Sequence, residues 1–330
     1  MEDYQQDDQW FFANVLSSDS NGGVTYLAAN LFSAQKIAIK SCDLNHSSSL
    51  VKEYRLLQNF IASPYIVQCL GDFLSLEPDG TRQYNMKLEL APEGTIRDLI
   101  KKRPGKIPEY EVRHYTHMIL QGLQTIHQSG IVHCDLCPQN ILLFPRGRFL
   151  SRVKIANFGR AKMSGQKYCR NRRLCYRGNV WYMSPESMKV VAENGAVDMI
   201  RKPLDIWSLG CTVVEMISGR KAWQLADTDV LMYDFFDEED LPTLPETMSK
   251  KGRDFLRMCF VRDPDKRATA SELLRHPYVS EISLPDREEE ASLTIGEYAV
   301  PFSLPPLGRC FYNLGLDQWR KLHSDSDPLQ

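Results

Sequence analysis

Residues 10–91 alternate between apolar and polar positions, a pattern that predicts a strand-rich region. FFANVL and VTYLAA are two such runs on either side of the polar stretch SSDSNGG, and QKIAIK is a third. SSSLVKEYRLLQNF predicts a helix, because Leu50, Tyr54, Leu57 and Phe60 recur at helical spacing. QYNMKLEL resumes the strand pattern and ends at the turn APEG, where we place a hinge.

Beyond the hinge the apolar period lengthens to that of a helix. Val112, Tyr115, Ile119, Leu123 and Ile126 predict one face of a long helix that stops at Gly130. PLDIWSLGCTVVEMISG, GRDFLRMCF and ASELLRHPY predict later helices. These patterns indicate an α+β protein with a small β-rich lobe and a larger helical lobe. The predicted divisions are an N-terminal extension (1–9), the small lobe and hinge (10–91), the helical lobe (92–279) and a mostly irregular tail (280–330).

Composition narrows the function classes. A 330-residue chain with 43% hydrophobic and 25% charged residues has ordinary globular composition. Its formal net charge of −2 argues against nucleic-acid binding by the whole protein. No apolar run approaches the roughly 18 residues of a membrane span, and the acidic start MEDYQQDDQW does not resemble a secretory signal. We therefore expect an intracellular protein, cytoplasmic or nuclear, with its nine cysteines reduced.

Five polar residues occur in an order suited to handling a nucleoside triphosphate. Such chemistry requires a cation on the phosphates, a carboxylate to hold that cation, oxygen ligands for Mg²⁺, and an acceptor for the substrate hydroxyl proton. Lys40 ends the strand IAIK, and Glu53 lies on the helix that follows. Asp135 and Asn140 share the stretch HCDLCPQN, and Asn157 begins NFG after a later strand.

Together these motifs resemble those of eukaryotic protein kinases. IAIK matches the strand-3 lysine motif, HCDLCPQN the catalytic loop, and NFG stands where the family has Asp-Phe-Gly. Glu186 in SPE, Asp205 in DIWSLG and Arg267 in DPDKRAT match structural positions of the family. The resemblance covers about residues 10–279, and HCD, WYMSPES and GCTVVEMISGRKAW are most similar to plant MAP kinase kinase kinase-type Ser/Thr kinases.

The resemblance implies a bilobal protein-kinase fold, ATP and Mg²⁺ as cofactors, and protein partners or a protein substrate in a signalling cascade. Lys40 would contact the phosphates and pair with Glu53, while Asp135 would orient the substrate hydroxyl. Asn140 would bind Mg²⁺, with Asn157 as a weakened second ligand. The nucleotide-binding positions implied by the resemblance are Val24, Ala38, Lys40, Leu88, Glu89, Ala91 and Leu142.

The glycine-rich phosphate loop is the first departure from the family pattern. In SSDSNGGV, Ser17 and Asp19 replace the first two glycines, while Gly22 remains. Glycine lets the backbone approach phosphate closely, whereas the Asp19 carboxylate would repel it. Alternatively, the stretch is simply a tight turn, which Asn21-Gly22-Gly23 suits.

The phosphate side of the catalytic loop departs further. Asn157 keeps a carbonyl oxygen but lacks the charge of the family's aspartate, and Mg²⁺ favours carboxylate oxygen. Cys137 replaces the usual lysine on the transferring phosphate. A loss of about 3 kcal/mol in transition-state stabilisation corresponds to roughly a hundredfold in rate. Both changes bear on the same phosphates, so their effects are not independent.

Cys134 replaces an arginine that clamps an activation-loop phosphate in many kinases, which bears on regulation. The following segment, 160–183, is a solvated basic loop or a dock for an acidic or phosphorylated partner. Its basic residues are Arg160, Lys162, Lys167, Arg170, Arg172, Arg173 and Arg177.

The cysteines allow another interpretation of this loop. Cys134-x-x-Cys137 has zinc-like spacing, and Cys169 and Cys175 follow in the next segment. Zinc ribbons usually have two tight pairs, and 169/175 are more widely spaced. A metal or redox site is thus the weaker alternative.

Two functions remain. The altered positions Ser17, Asp19, Cys137 and Asn157 favour a pseudokinase that acts through binding. The retained Lys40, Glu53, Asp135 and Asn140 favour a slow but active ATP-dependent Ser/Thr protein kinase.

Overall fold

The computed structural model describes residues 10–18, 22–30, 33, 35–103, 107–146, 150–166, 179–192, 199–223, 241–281 and 309–310. These residues fall into two compact units. Within the described residues, the first unit comprises 10–62, 67–91 and 309–310, and the second comprises 63–66 and 92–281.

The first unit is built on a six-stranded antiparallel sheet with the strand order β10-β1-β2-β3-β5-β4. One helix, α1 (Ser48–Leu57), follows the third strand. The strands are β1 (Trp10–Ser18), β2 (Val24–Asn30), β3 (Lys36–Asp43), β4 (Cys69–Leu76), β5 (Arg82–Leu88) and β10 (Arg309–Cys310).

Alternation explains how β3 is held in this sheet. Ile37 and Ile39 are buried in a cluster with Trp10, Phe12 and Phe73. The intervening residues of a strand point to the opposite face. The Lys40 side chain is therefore directed away from this cluster, and it is nevertheless buried.

The last strand of the sheet comes from the predicted irregular tail. Arg309 and Cys310 pair with Phe12 and Phe11 of β1. This short strand is an exception to the irregular structure expected of the tail. Residues 282–308 and 311–330 of this predicted tail lie outside the described part of the chain.

The second unit is mainly helical and has two small antiparallel sheets, β6-β9 and β7-β8. Its strands are β6 (Ile131–Val132), β7 (Ile141–Arg146), β8 (Leu150–Ile155) and β9 (Lys162–Met163). Its helices are α2 (Ile96–Lys102), α3 (Glu109–Gln128), α4 (Pro185–Ala192), α5 (Pro203–Ser218), α6 (Lys250–Cys259), α7 (Ala270–Leu274) and α8 (Pro277–Ser280).

Helices α3 and α5 form the centre of this unit. The five apolar residues that predicted α3 are all buried. Helix α5 starts with Pro203 and ends at Ser218, where it is capped by Gly219, whose φ of 70° lies in the left-handed region that glycine tolerates. Its Trp207 is fully buried against Phe260, with ring centroids 5.1 Å apart. The part of the chain that the structure describes has no helix with the length and apolar character needed to cross a membrane.

Candidate functional site

Lys40 and Glu53 form a buried ion pair within the first unit. The Lys40 Nζ lies 2.9 Å from Glu53 Oε2, and the two side chains are 11% and 2% exposed. Strand β3 carries the lysine, and the inward face of α1 carries the glutamate. A buried cation and carboxylate at this distance offset each other's desolvation, so the lysine is held in one position.

The nucleotide-binding positions predicted in the first unit lie on neighbouring strands. Ala38 of β3 is directly opposite Leu88 of β5, and both are buried. Val24 begins β2 opposite Ser41. After β5, the Glu89 amide donates to the Gln68 carbonyl at 3.0 Å.

The remaining predicted positions belong partly to the first unit and partly to the second. Ala91 is half-buried just beyond β5, and Ser17 is exposed on β1 opposite Thr25. Gly22 has a φ of 82°, which suits the tight turn considered from the sequence. Asp19 lies outside the described residues. Leu142 is half-buried on β7 and belongs to the second unit.

Asp205 on α5 fixes the backbone of the catalytic loop. It accepts hydrogen bonds from the His133 amide at 2.8 Å, the Cys134 amide at 2.9 Å and His127 Nε2 at 2.9 Å. Burial acts to raise the pKa of Asp205. His127 and the His133 imidazole and amide outweigh burial, so the pKa of Asp205 lies below its ordinary value.

The side chains of Asp135, Asn140 and Asn157 form a hydrogen-bonded ladder. Asn157 Nδ2 donates to Asn140 Oδ1 at 3.0 Å. Asn140 Nδ2 donates to the Asp135 carbonyl at 2.7 Å and to its Oδ2 at 3.1 Å. The Asn140 side chain, which the resemblance assigns to a metal, therefore already accepts a hydrogen bond from the Asn157 amide at its Oδ1.

Arg160 joins this ladder, a contact that sequence reasoning did not find. Its Nη1 lies 3.6 Å from Asp135 Oδ1, and the two side chains are 24% and 12% exposed. Burial raises the pKa of Asp135, and the Arg160 charge is the largest influence in the opposite direction. Arg160 directly follows Asn157-Phe158-Gly159, and this position was the sequence feature that could have indicated the contact. From the sequence, Arg160 is identified only as one of the basic residues of segment 160–183.

The two loop cysteines differ in environment. Cys137 is buried, and burial raises the pKa of its thiol to about 12. Cys134 is half-buried with a φ of 64°, and its Sγ lies 3.5 Å from the Val132 carbonyl. The described residues contain no group of three His, Cys, Asp or Glu side chains that could hold a metal ion. Cys169 and Cys175 lie outside them, as do the basic residues of 167–178.

Two further contacts stabilise the surroundings of the loop. His133 and Phe158 are fully buried and meet edge to face, with ring centroids 5.0 Å apart. Arg267 donates to Glu186 through Nη1 and Nη2, at 2.6 and 3.0 Å. These contacts preserve the architecture around α4 and α5.

The residues on the metal side of the ladder do not fit the charged ligand set implied by the resemblance. That set includes an aspartate where this chain has Asn157, and hard cations such as Mg²⁺ favour carboxylate oxygen. Asn157 and Asn140 are neutral amides bonded to each other.

Comparisons with known proteins identify the family. The protein kinase domain family matches residues 20–279. The chain is 35% identical to mitogen-activated protein kinase kinase kinase 20 of Arabidopsis thaliana over 88% of this chain and 82% of that protein. It is 32% identical to the Arabidopsis mitogen-activated protein kinase kinase kinase 17 over 82% of this chain and 70% of that protein. The α+β kinase fold and the resemblance to plant MAP kinase kinase kinases are thereby confirmed, and the chain belongs to the protein kinase family.

Proposed function

We propose that this chain is a protein-kinase-fold signalling protein with impaired phosphotransfer, acting mainly through binding in a MAP kinase cascade. The observation that carries the proposal is the hydrogen bond from the Asn157 amide to Asn140 Oδ1 at 3.0 Å. Kinase domains generally use ATP and Mg²⁺. In this chain both amides would have to reorganise for the cation to reach the Asn140 oxygen.

Charge supports the same proposal. Two unit charges about 4 Å apart interact by about 4 kcal/mol at an effective dielectric constant near 20. Replacing the family's aspartate with Asn157 removes one such attraction to a divalent ion. Cys137 supplies no cation in place of the family's lysine, because a protonated thiol is neutral, and burial keeps it protonated by raising the pKa of this thiol to about 12. We therefore expect weak Mg²⁺ binding and slow transfer.

The cascade role rests on the relatives, whose names place them as mitogen-activated protein kinase kinase kinases. Its partners would be proteins of such a cascade, together with a nucleotide, in the cytoplasm or nucleus. Intact structural contacts such as Arg267–Glu186 would preserve the surface through which a binding protein acts.

A slow but active Ser/Thr kinase is the second candidate. The buried Lys40–Glu53 ion pair, at 2.9 Å, favours it. This pair is one of the arrangements on which protein-kinase activity depends. Asp135 is also retained and could accept the substrate hydroxyl proton.

The deciding experiment combines ATP-binding calorimetry, with and without Mg²⁺, and a phosphotransfer assay. The chains compared are the wild type and the variant carrying Asn157→Asp with Cys137→Lys. For the wild type we expect phosphotransfer near background and an ATP affinity that Mg²⁺ increases only slightly. In the repaired variant we expect more phosphotransfer and a larger increase of ATP affinity with Mg²⁺.

Asp135→Asn in both backgrounds is the control for contaminating kinases. Robust wild-type transfer that Asp135→Asn abolishes would overturn impaired catalysis and establish the second candidate. Transfer insensitive to Asp135→Asn comes from a contaminant and is excluded before the two chains are compared.

A further inference from the structure

The Asp135 carboxylate is contacted from both described ends of the basic segment 160–183. We call residues 158–166 the near end and residues 179–184 the far end. From the near end, Arg160 Nη1 lies 3.6 Å from Asp135 Oδ1. Burial raises the pKa of Asp135, and a hydrogen bond from the Asn179 backbone at the far end is one of the contacts that oppose this rise. Asn140 Nδ2 donates to Asp135 Oδ2 at 3.1 Å, so the carboxylate is engaged by three groups of its own chain.

The near end has its own backbone contacts. The turn Phe158–Arg160 is closed by the Ala161 amide, which donates to the Phe158 carbonyl at 3.0 Å. Strand β9 then pairs with β6, and the Ser164 amide donates to the Gly130 carbonyl at 2.8 Å. These bonds fix the backbone from which Arg160 reaches Asp135.

The far end is held by a different set of contacts. In the turn Val180–Tyr182, the Tyr182 amide donates to the Asn179 carbonyl at 3.0 Å. Ser208 Oγ of α5 donates to the Tyr182 carbonyl at 2.7 Å. The Asn179 side chain accepts from the Trp181 amide at 3.4 Å, which leaves the Asn179 amide for Asp135. Asp135 therefore provides a contact that the two ends share.

We propose that the Asp135 carboxylate is a clasp that joins the near and far ends of segment 160–183 without a phosphate group. In many kinases an arginine at the position of Cys134 clamps an activation-loop phosphate, and this chain lacks that arginine. The inference rests on the proposed function and deepens it, because a carboxylate engaged by its own chain is withheld from a substrate hydroxyl.

Charge explains why the two ends depend on each other through Asp135. An ionised carboxylate is a stronger hydrogen-bond acceptor than a neutral acid, and burial favours the neutral form. The Arg160 charge favours the ionised form and so strengthens the bond from the Asn179 amide. Loss of the cation at the near end therefore weakens the contact at the far end.

The test is hydrogen exchange of the full, phosphatase-treated chain, followed by mass spectrometry of both ends. Arg160→Gln should speed exchange at the far end about tenfold, as expected for a weakened bond to a charged group. Arg160→Lys keeps the charge and should stay within about threefold of wild type. Arg257→Gln, an exposed charge loss on α6, is the control and should change neither end.

A matched pair of substitutions at Asn179 tests the opposite direction. Asn179→Pro removes the amide donor, and the φ of −80° at this position suits proline. It should speed exchange at the near end about tenfold. Asn179→Ala removes the side-chain acceptor but keeps the amide, so it should leave the near end unchanged.

Removing the clasp itself separates this role from a local defect. Asp135→Ala should speed exchange at both ends, and Arg160→Gln should then add nothing at the far end. An effect that Arg160 exerts through any other contact would persist in the Asp135→Ala background. A general loss of stability would also speed exchange in α3 and α5.

Several results would overturn this inference. They are effects confined to the end that carries the substitution, equal effects of Asn179→Pro and Asn179→Ala, or an undiminished effect of Arg160→Gln in the Asp135→Ala background. Phosphatase treatment that loosens both ends as much as Asp135→Ala does would also overturn it. In each case, phosphotransfer near background would leave impaired catalysis standing. Coupled ends together with robust wild-type phosphotransfer would instead refute the proposed function and the withholding of Asp135, while the coupling itself would stand.

Discussion

The backbone of the catalytic loop and the side chains that it presents differ in how far they follow the kinase pattern. The backbone is tied to Asp205 through the His133 and Cys134 amides, at 2.8 and 2.9 Å. The presented side chains include a buried thiol at Cys137 and an amide at Asn157 in place of two charged groups. The difference teaches that loop conformation and loop chemistry are set by different residues.

That separation has a physical basis. Asp205 is fully buried on α5 and satisfies backbone donors, so its loss would affect the folded state directly. In the family pattern the residues at positions 137 and 157 act on phosphates or metal ions, and neither side chain accepts the backbone amides that Asp205 binds. Replacing them can therefore alter phosphate chemistry while leaving the loop in place.

The substitution with the largest expected effect on stability tests how Asp205 holds the loop backbone. Asp205→Ala would leave two amides and His127 without their acceptor, and each buried unsatisfied group costs about 1–3 kcal/mol. We expect the free energy of unfolding to fall by about 4 kcal/mol, measured by urea denaturation. Asp254→Ala, which removes a largely exposed partner of His276, is the control and should cost less than about 1 kcal/mol. Similar losses in the two variants would contradict the role given to Asp205.

The same carboxylate predicts a pH dependence. Its pKa is lowered in the folded state, so its contribution is present above the unfolded pKa of about 3.9. That contribution is lost as the pH falls through the native pKa. The stability gap between wild type and Asp205→Asn should therefore narrow in acid, as measured by urea midpoints across pH. A gap that widens in acid would show that the sign is wrong.

Sequence patterns located the long elements well because those elements have one apolar face. The sequence predicted α3 from its apolar spacing, and it predicted the two ends of α5 from Pro203 and Gly219. Strand β4 was not predicted, since CLGDFLSL lacks clean alternation and Gly71 adopts a φ of 133° within it. Helix α2 starts at a Thr95–Asp98 capping box and is only seven residues long, too short for its apolar period to predict it.

The site was predictable by position but not in its contacts. Motif order identified Lys40, Asp135 and Asn140, and their assigned roles remain predictions. The Arg160–Asp135 ion pair joins residues distant in sequence through a turn that begins with a left-handed Asn157. No periodicity encodes such a contact, because it depends on where the turn directs one side chain.

Breaking the Arg267–Glu186 ion pair should lower the free energy of unfolding somewhat less than Asp205→Ala does. Arg267 has no exposed side-chain surface and keeps carbonyl contacts to Val261 and Pro203, at 2.8 and 2.9 Å. Glu186→Gln leaves the buried guanidinium without its counter-charge, and those carbonyls offset part of the loss. We expect the free energy of unfolding to fall by about 2–3 kcal/mol, below the usual cost of breaking a buried pair.

The surface ion pair between Lys266 and Asp263 provides the matched comparison for that substitution. Its side chains are 80% and 43% exposed, so Asp263→Asn should change the free energy of unfolding by less than about 1 kcal/mol. Denaturation of both variants in urea checks the difference. Equal effects would mean that burial does not strengthen the Arg267–Glu186 contribution.

The substitution with the smallest expected effect on stability tests the side chains that the loop presents. Asn157→Asp removes the donor to Asn140 Oδ1 and puts a carboxylate against that oxygen, 3.0 Å from the present amide nitrogen. Without Mg²⁺ we expect the free energy of unfolding to fall by about 1 kcal/mol, the usual net worth of a hydrogen bond. Adding Mg²⁺ should recover the stability of this variant by mass action and leave wild type nearly unchanged. Thermal melts with Mg²⁺ or a chelator measure both effects.

Asn157→Gly is the control for that last measurement, because it removes the amide, adds no charge and tolerates the φ of 68° at this position. Its melting temperature should not respond to Mg²⁺. If Mg²⁺ stabilises wild type as strongly as Asn157→Asp, the hydrogen-bonded Asn157 and Asn140 amides do not exclude the metal. The loop would then bind Mg²⁺ as the kinase pattern does, despite the loss of the carboxylate. A response confined to Asn157→Asp would show that one carboxylate separates a loop that is merely stable from one that recruits a metal ion.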